Sequence, residues 1–421
     1  MKKIILVILA AFLMTGALQA GDAFSLSGYY KSFFVGFKMP AYSSQGIDLT
    51  TPPIGAVNNR LRLKLSYAPS RSFSVKIAYD VSPRIQDALL FSESIFFENL
   101  QAGSYRFDDF AARLYPGAGE AVSSLGIFHN LDRCFVTIKT KIADIFIGRQ
   151  AIAWGSSYVI NPTDTIAPFT FNELDTEERR GVDAVRVRIP LGMMDELDIG
   201  YIFGENFEFA NSAAYLRAKI YLLKTDIALL LMSFRENLLL GFDLSRSIGG
   251  AGFRFETAYV KPGYFNSQEK GIEKDYFRAS VGLDYNFGGK VYAFIEYHFN
   301  SAGKNEPGEY LDFFQTTAFL EGAAYLMGRH YLNAGLTYQL SPLIPFTGMV
   351  IYNLSDGSFS ISPNLEYNIA ENIYISAGAY LGVGRRPGFL FPQDRPQPLT
   401  IFNSEFGAYP HMFFAAFRIY F

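Results

Sequence analysis

The stretch Arg60-Leu61-Arg62-Leu63-Lys64-Leu65-Ser66-Tyr67 alternates strictly. Leu61, Leu63, Leu65 and Tyr67 fall on one face of an extended chain, and Arg60, Arg62, Lys64 and Ser66 on the other, because successive side chains of a strand point to opposite sides. The next segment repeats the pattern, with Phe73, Val75, Ile77, Tyr79 and Val81 set against Ser74, Lys76, Ala78 and Asp80. Soluble sandwich strands run about five or six residues. Alternation over nine or ten residues is the length with which a tilted strand crosses a bilayer.

Eighteen such segments recur: 25–37, 58–67, 73–82, 131–140, 144–152, 181–189, 196–204, 212–222, 225–234, 238–245, 251–260, 275–286, 290–299, 329–339, 345–353, 358–367, 372–381 and 410–421. Their connections alternate between short (68–72, 141–143, 223–224, 287–289) and long (38–57, 83–130, 153–180, 300–328, 382–409). Short periplasmic turns and long extracellular loops are the habit of a membrane barrel. The expected fold is all-β: a transmembrane antiparallel β-barrel of about 18 strands spanning 21–421. Closure is obligatory, since hydrocarbon leaves no partner for an open sheet edge.

Composition agrees. Of 421 residues, 41 are Phe and 27 Tyr, with one Trp, and 49% are apolar. Beyond the N-terminus no run approaches the 18 apolar residues of a membrane helix. Aromatics sit at strand ends around aliphatic middles, as in Phe277, Ala279, Val281, Leu283, Tyr285 and in Phe359, Ile361, Pro363, Leu365, Tyr367, which matches interfacial girdles. The single Cys134 excludes a disulfide scaffold, and a net charge of −3 gives no reason to expect a nucleic-acid partner. Residues 1–20 read as a signal peptide: Lys2 and Lys3, an apolar run from Ile4 to Met14, then small residues before a cut after Ala20. About four residues would then precede the first strand, so no N-terminal plug is expected, which argues against energy-coupled siderophore receptors and hatch-bearing fatty-acid channels.

The polar faces, turned inward, collect cations: Arg60, Arg62, Lys64, Lys76, Arg133, Lys139, Arg186, Arg188, Arg217, Lys219, Arg254, Arg278 and Arg418. The inward anions are Asp80, Asp144, Asp198, Glu256, Asp284, Glu296 and Glu366, leaving a lumen of net +6 beneath acidic loops. Such a lumen concentrates anions. Segment 225–234 is apolar on both faces and needs a cover, for which 87–100 and 311–327 are the expected sources; the short-looped wall around 196–245 is alternatively an oligomer contact. The four His (His129, His298, His330, His411) do not cluster, so no metal and no cofactor is expected. Glu296 and His298 share a face, where a lumen salt bridge is expected rather than acid–base chemistry, and Glu173, Asp175, Glu177 and Glu178 read as a solvated loop rather than a calcium site. No nucleophile elbow stands out, and no enzyme is expected.

The alternating end Phe413, Ala415, Phe417, Ile419, Phe421 resembles the C-terminal signature that bacterial outer-membrane proteins present to their assembly machinery. Gly148-Arg149-Gln150-Ala151-Ile152-Ala153-Trp154-Gly155, followed by Asn161-Pro162 and Asp164, resembles a segment of alginate-export-type outer-membrane porins. That resemblance implies an 18-stranded monomeric barrel with an Arg-rich lumen for anionic solutes or polymers, and marks Arg149 and Gln150 as rim or lumen groups. Arg149 shares parity with Ile145 and Ile147, so it points inward only if the strand bulges or ends there. The expected partners are the bilayer and lipopolysaccharide of a Gram-negative outer membrane, the assembly machinery through Phe421, and an anionic solute passing through the lumen. A plugged barrel anchoring an extracellular polysaccharide is the alternative.

Overall fold

A computed structural model describes residues 23–44, 47–49, 51–87, 90, 105–108, 112–117, 119–120, 122–390 and 399–421. The expected leader 1–20 and nearly all of 87–100 lie outside the described residues. The long strands in chain order are β1 (Phe24–Lys38), β2 (Ile54–Ser70), β3 (Phe73–Gln86), β4 (Leu125–Lys139), β5 (Asp144–Gln150), β6 (Val182–Pro190), β7 (Glu196–Phe203), β8 (Ala213–Leu222) and β9 (Thr225–Phe234). They continue as β10 (Asn237–Ile248), β11 (Ala251–Lys261), β12 (Tyr276–Phe287), β13 (Val291–Asn300), β14 (His330–Ser341), β15 (Ile344–Asn353), β16 (Phe359–Ala370), β17 (Ile373–Val383) and β18 (His411–Tyr420). Each pairs antiparallel with the next, and β18 pairs with β1 from Tyr29↔Tyr420 to Lys38↔His411, closing an eighteen-stranded barrel. A nineteenth strand, Ala112–Tyr115, only lines the edge of β4. Among the described residues no helix is long and apolar enough to cross a membrane.

The closing seam carries a close approach. Gly28 and Phe421 exchange two backbone hydrogen bonds, at 2.8 and 3.0 Å. A Cβ on Gly28 would lie 2.3 Å from the Arg62 carbonyl oxygen and 2.8 Å from the Phe421 ring. The seam therefore needs glycine where the last residue docks.

The outer face is the apolar face anticipated from the alternation. Leu229, Leu231, Leu283, Ile295, Leu332 and Leu365 point outward and are exposed. Toward the short-turn end the outward aromatics include Tyr67, Phe73, Tyr285, Phe287, Tyr338 and Tyr367. That band fits hydrocarbon flanked by an interfacial girdle.

The barrel is not hollow. The inner face of β9, Leu230, Met232 and Phe234, is buried in a core with Ile152, Trp154, Ile166, Tyr310, Phe313 and Phe319. Segment 311–327 is one of its covers, in two short helical turns, Tyr310–Phe313 and Thr317–Leu320. The other described cover comes from 151–166, a segment that the sequence pattern does not mark as a cover.

Candidate functional site

The site is built by the segment between β5 and β6, which folds into the lumen. It leaves β5 through Gly148, whose φ is +115° and whose Cβ would lie 2.3 Å from the Cys134 carbonyl oxygen. Gly155, at φ +105°, then turns the chain, and a Cβ there would strike Asn161 at 2.3 Å. Both glycines thus have local steric reasons.

One side of the segment is held by its backbone. Glu256 on β11 accepts from the amides of Ser156 (3.0 Å), Ser157 (3.2 Å) and Thr163 (2.8 Å) and from the Thr163 hydroxyl (2.7 Å). Glu296 on β13 accepts from the amides of Tyr158 (2.6 Å), Val159 (3.2 Å) and Ile160 (3.2 Å) and from Asn333 (3.1 Å). Both carboxylates are essentially fully buried. A carboxylate that collects several N–H donors is solvated by them in place of water. The expected salt bridge at Glu296 is not formed, and His298 instead bonds Ser280 at 2.8 Å.

The other side is held by its acids. Lys31 on β1 pairs with Asp175 at 2.7 Å and with Glu177. Arg60 bridges Asp80 (2.7 Å) and Asp175 (3.2 Å), and Lys64 bonds Glu178. Arg62, 1% exposed, lies between Asp80 (3.1 Å) and Asp132 (2.7 Å). Burial alone would raise the Glu178 carboxyl, but the Lys64 hydrogen bond and the charges of Arg62 and Arg133 leave it below the usual range. Asp175, Glu177 and Glu178 are therefore tied to strand cations, while Glu173 and Glu177 stay exposed. Among the described residues no cluster of three or more His, Cys, Asp or Glu could hold a metal.

The remaining cations divide by wall. Arg186 is bidentate to Asp198 (2.9 and 2.5 Å), and Arg188 bonds Glu196. Arg254 donates to the Ser156 carbonyl (2.7 Å), and Arg418 bonds Glu366. Arg278, 3% exposed, donates to the Gly322 carbonyl at 3.1 Å. Lys76 and Arg217 have no ion-pair partner among the described residues. Arg149, 3% exposed, is fixed at the rim by Asp183 (2.8 Å) and the carbonyls of Leu131 and Asp108, while Gln150 reaches the Gly148 and Ala184 carbonyls. The basic excess counted from sequence is thus largely met by inward acids.

Two groups escaped the sequence reading. Lys31 shares its inward face with Tyr29, Phe33 and Val35, so parity marked that face as apolar. Asp132 is hidden by a register shift between Ala78 and Tyr79, which turns Asp132 and Arg133 to the same buried side.

Between the inward segment and the wall of β12 to β18 remains a cavity of about 590 Å³. Arg179, Arg278 and Arg418 line it with Asp164, Glu173, Asp175 and Glu366, interspersed with Phe169, Phe171 and Tyr325. Asp164, 1% exposed, pairs with Arg179 at 2.9 Å, and burial pushes its carboxyl up to about 7 against that partner.

No protein-family model matches the chain, and no curated protein matches it. Solved structures do. A BenF-like porin from Pseudomonas fluorescens Pf-5 matches with TM-score 0.55 at 9% identity, over 94% of this chain and 99% of that one. OccD3 (OpdP) of Pseudomonas aeruginosa gives 0.52 at 10% identity, over 95% and 91%. OpdK of Pseudomonas aeruginosa, solved with vanillate, gives 0.52 at 8% identity, over 95% and 98%. At these identities the likeness is one of fold.

Proposed function

We propose that this barrel lies in the outer membrane of a Gram-negative cell and acts as a porin-like channel for small anionic solutes. The observation that carries the reading is the cavity of about 590 Å³ left beside the inward segment. Its size suits a small molecule rather than a polymer chain. The alginate-type resemblance at Gly148–Asp164 therefore supports the barrel class more than a polymeric cargo. Anion preference rests on Lys76 and Arg217, which have no ion-pair partner among the described residues, since the arginines of the cavity wall are offset there by Asp164, Glu173, Asp175 and Glu366. The vanillate of OpdK, an aromatic carboxylate, is consistent with a lining that mixes arginine and aromatic rings. The work is steering by fixed charge and sieving by the inward segment; no covalent chemistry is proposed. Residues 1–20 would serve as the cleaved export signal.

Planar-bilayer recording tests this. Discrete conductance steps are expected, with a reversal potential in a salt gradient on the anion side that shifts toward cations in the Lys76→Gln/Arg217→Gln variant. Cation selectivity unmoved by that change would sink the anion preference. A folded protein with no conductance but affinity for glycan would favour the plugged, polysaccharide-anchoring barrel, a reading to which the dense core around Met232 lends weight.

A further inference from the structure

The aromatic girdle is broken on one side of the barrel. At the short-turn end, Tyr67, Phe73, Tyr285, Phe287, Tyr338 and Tyr367 mark the outer face elsewhere. Seven consecutive strands, β4 to β10, carry no outward aromatic at that end; Ile138, Ile145, Ile189, Leu197, Ile220 and Leu244 stand there instead. The turns below this wall are apolar. Ile142 is 76% exposed, Leu191 62%, Met193 104% and Leu223 79%, joined by Met194 and Leu222. Turns facing water are ordinarily polar, and a contiguous exposed apolar patch marks an interaction site.

Local geometry does not call for these side chains. Leu223 and Lys224 form a two-residue turn with both φ positive, +51° and +62°. The opposite end of the barrel has the same turn shape at Arg235 and Glu236, φ +44° and +67°, made from charged residues. A leucine in the left-handed region is uncommon. Beside the patch stand Lys141, Lys224 and Arg246, exposed and with no ion-pair partner among the described residues.

We propose that the turns at 140–143, 190–195, 222–225 and 247–250 form a docking surface for a periplasmic protein that presents an apolar face rimmed by carboxylates. The orientation, though not the cargo, is taken from the channel reading above. The unpaired cations set the partner's charge. A second copy meeting this patch about a two-fold axis would bring the same cations face to face. A whole-wall contact would also remove the loop-side end from lipid, yet Tyr201, Phe203 and Phe207 make successive ring contacts there and Phe209 meets Phe265 edge-on, as in an interface belt. Immersion of the turns in hydrocarbon would desolvate Lys141, Lys224 and Asp195, which alternate with the apolar tips.

A photoreactive benzoylphenylalanine placed at Met193 or Leu223 in intact cells should give one crosslink to a different protein. The same probe at Glu371, on a polar turn across the barrel, should give none. Lys141→Glu/Lys224→Glu should reduce the crosslink at least tenfold, with heat-modifiable gel mobility and conductance unchanged. In a Cys134→Ser background, a bimane on Met193→Cys should be quenched in vesicles by aqueous iodide and not by brominated lipid. A crosslink of twice the chain's mass, quenching by brominated lipid, a yield unchanged by charge reversal, or no crosslink at all would each overturn the proposal. Labelling of Met193→Cys from outside intact cells would overturn the orientation beneath it, whereas absent conductance in the parent protein would bear on the channel reading alone.

Discussion

At the scale of the residue, Glu405 is the group whose chemistry departs furthest from its sequence appearance. It lies between β17 and β18, fully buried, and accepts from the Tyr331 hydroxyl (2.5 Å), the Asn353 amide (2.7 Å) and the Met327 backbone (2.8 Å). Among the described residues no cation pairs with it, and burial pushes its carboxyl up to about 7 in spite of those three donors. In an unfolded chain a glutamate titrates near 4.3, so the folded cluster binds the proton more tightly. The stabilisation is complete below about pH 4.3 and is lost as pH rises through about 7. Amide exchange in 404–409, corrected for its intrinsic pH dependence, is expected to be slower at pH 5.5 than at pH 8. The difference is worth up to roughly 2 kcal/mol. Glu405→Gln should flatten it; an unchanged pH profile in that variant would show that another group titrates. Nothing around position 405 in the sequence signals this, because the partners come from β14, β15 and the segment before β14.

At the scale of the element, the segment from 151 to 181 is held by two unlike chemistries. Glu256 and Glu296 grip its backbone, while Lys31, Arg60 and Lys64 grip its acids. Glu296→Ala would leave the amides of Tyr158, Val159 and Ile160 without their acceptor, at a cost of roughly 1–3 kcal/mol for each buried amide that water does not reach. The segment should then leave the lumen part of the time. Single-channel records are expected to show larger and noisier conductance in Glu296→Ala, with the barrel's gel mobility retained. Conductance equal to wild type would mean that the basic side holds the segment alone. Removing Arg179 probes the same element differently: it leaves Asp164 buried without its ion pair. The carboxyl, already pushed up to about 7, then takes up a proton, so the contact between 165–180 and Asp164 is lost at less than the roughly 3–5 kcal/mol of a stranded buried charge. Arg179→Ala should therefore increase proteolysis within 165–180, and a cleavage pattern like wild type would refute that role. The acids at 173–178 were visible in the sequence, but as a tract they looked solvated. Their partners lie about 115 to 146 residues away on β1 and β2, a separation that local pattern does not span.

At the scale of the whole molecule, closure is the decisive event, since it alone pairs the edges of β1 and β18. Gly28→Val should block the docking of Phe421 and lower the yield of folded, heat-modifiable barrel in a detergent gel, while a normal yield would show that the seam tolerates a Cβ there. The number of strands, their antiparallel succession and the side facing lipid were all legible from alternation, because a period of two maps sequence onto inside and outside without knowledge of any distant residue. Element ends were less legible: β2 runs from Ile54 to Ser70 and β5 stops at Gln150, where ladder bonding rather than hydropathy sets the limit. The lumen was legible only as a list of charges. Which long segment enters it, which cations it neutralises and where space remains were decided by tertiary structure. The physical reason is that a strand's faces are set by local geometry, whereas a lumenal ion pair depends on where closure brings two remote side chains, and a single register shift such as that at Asp132 reverses the inference.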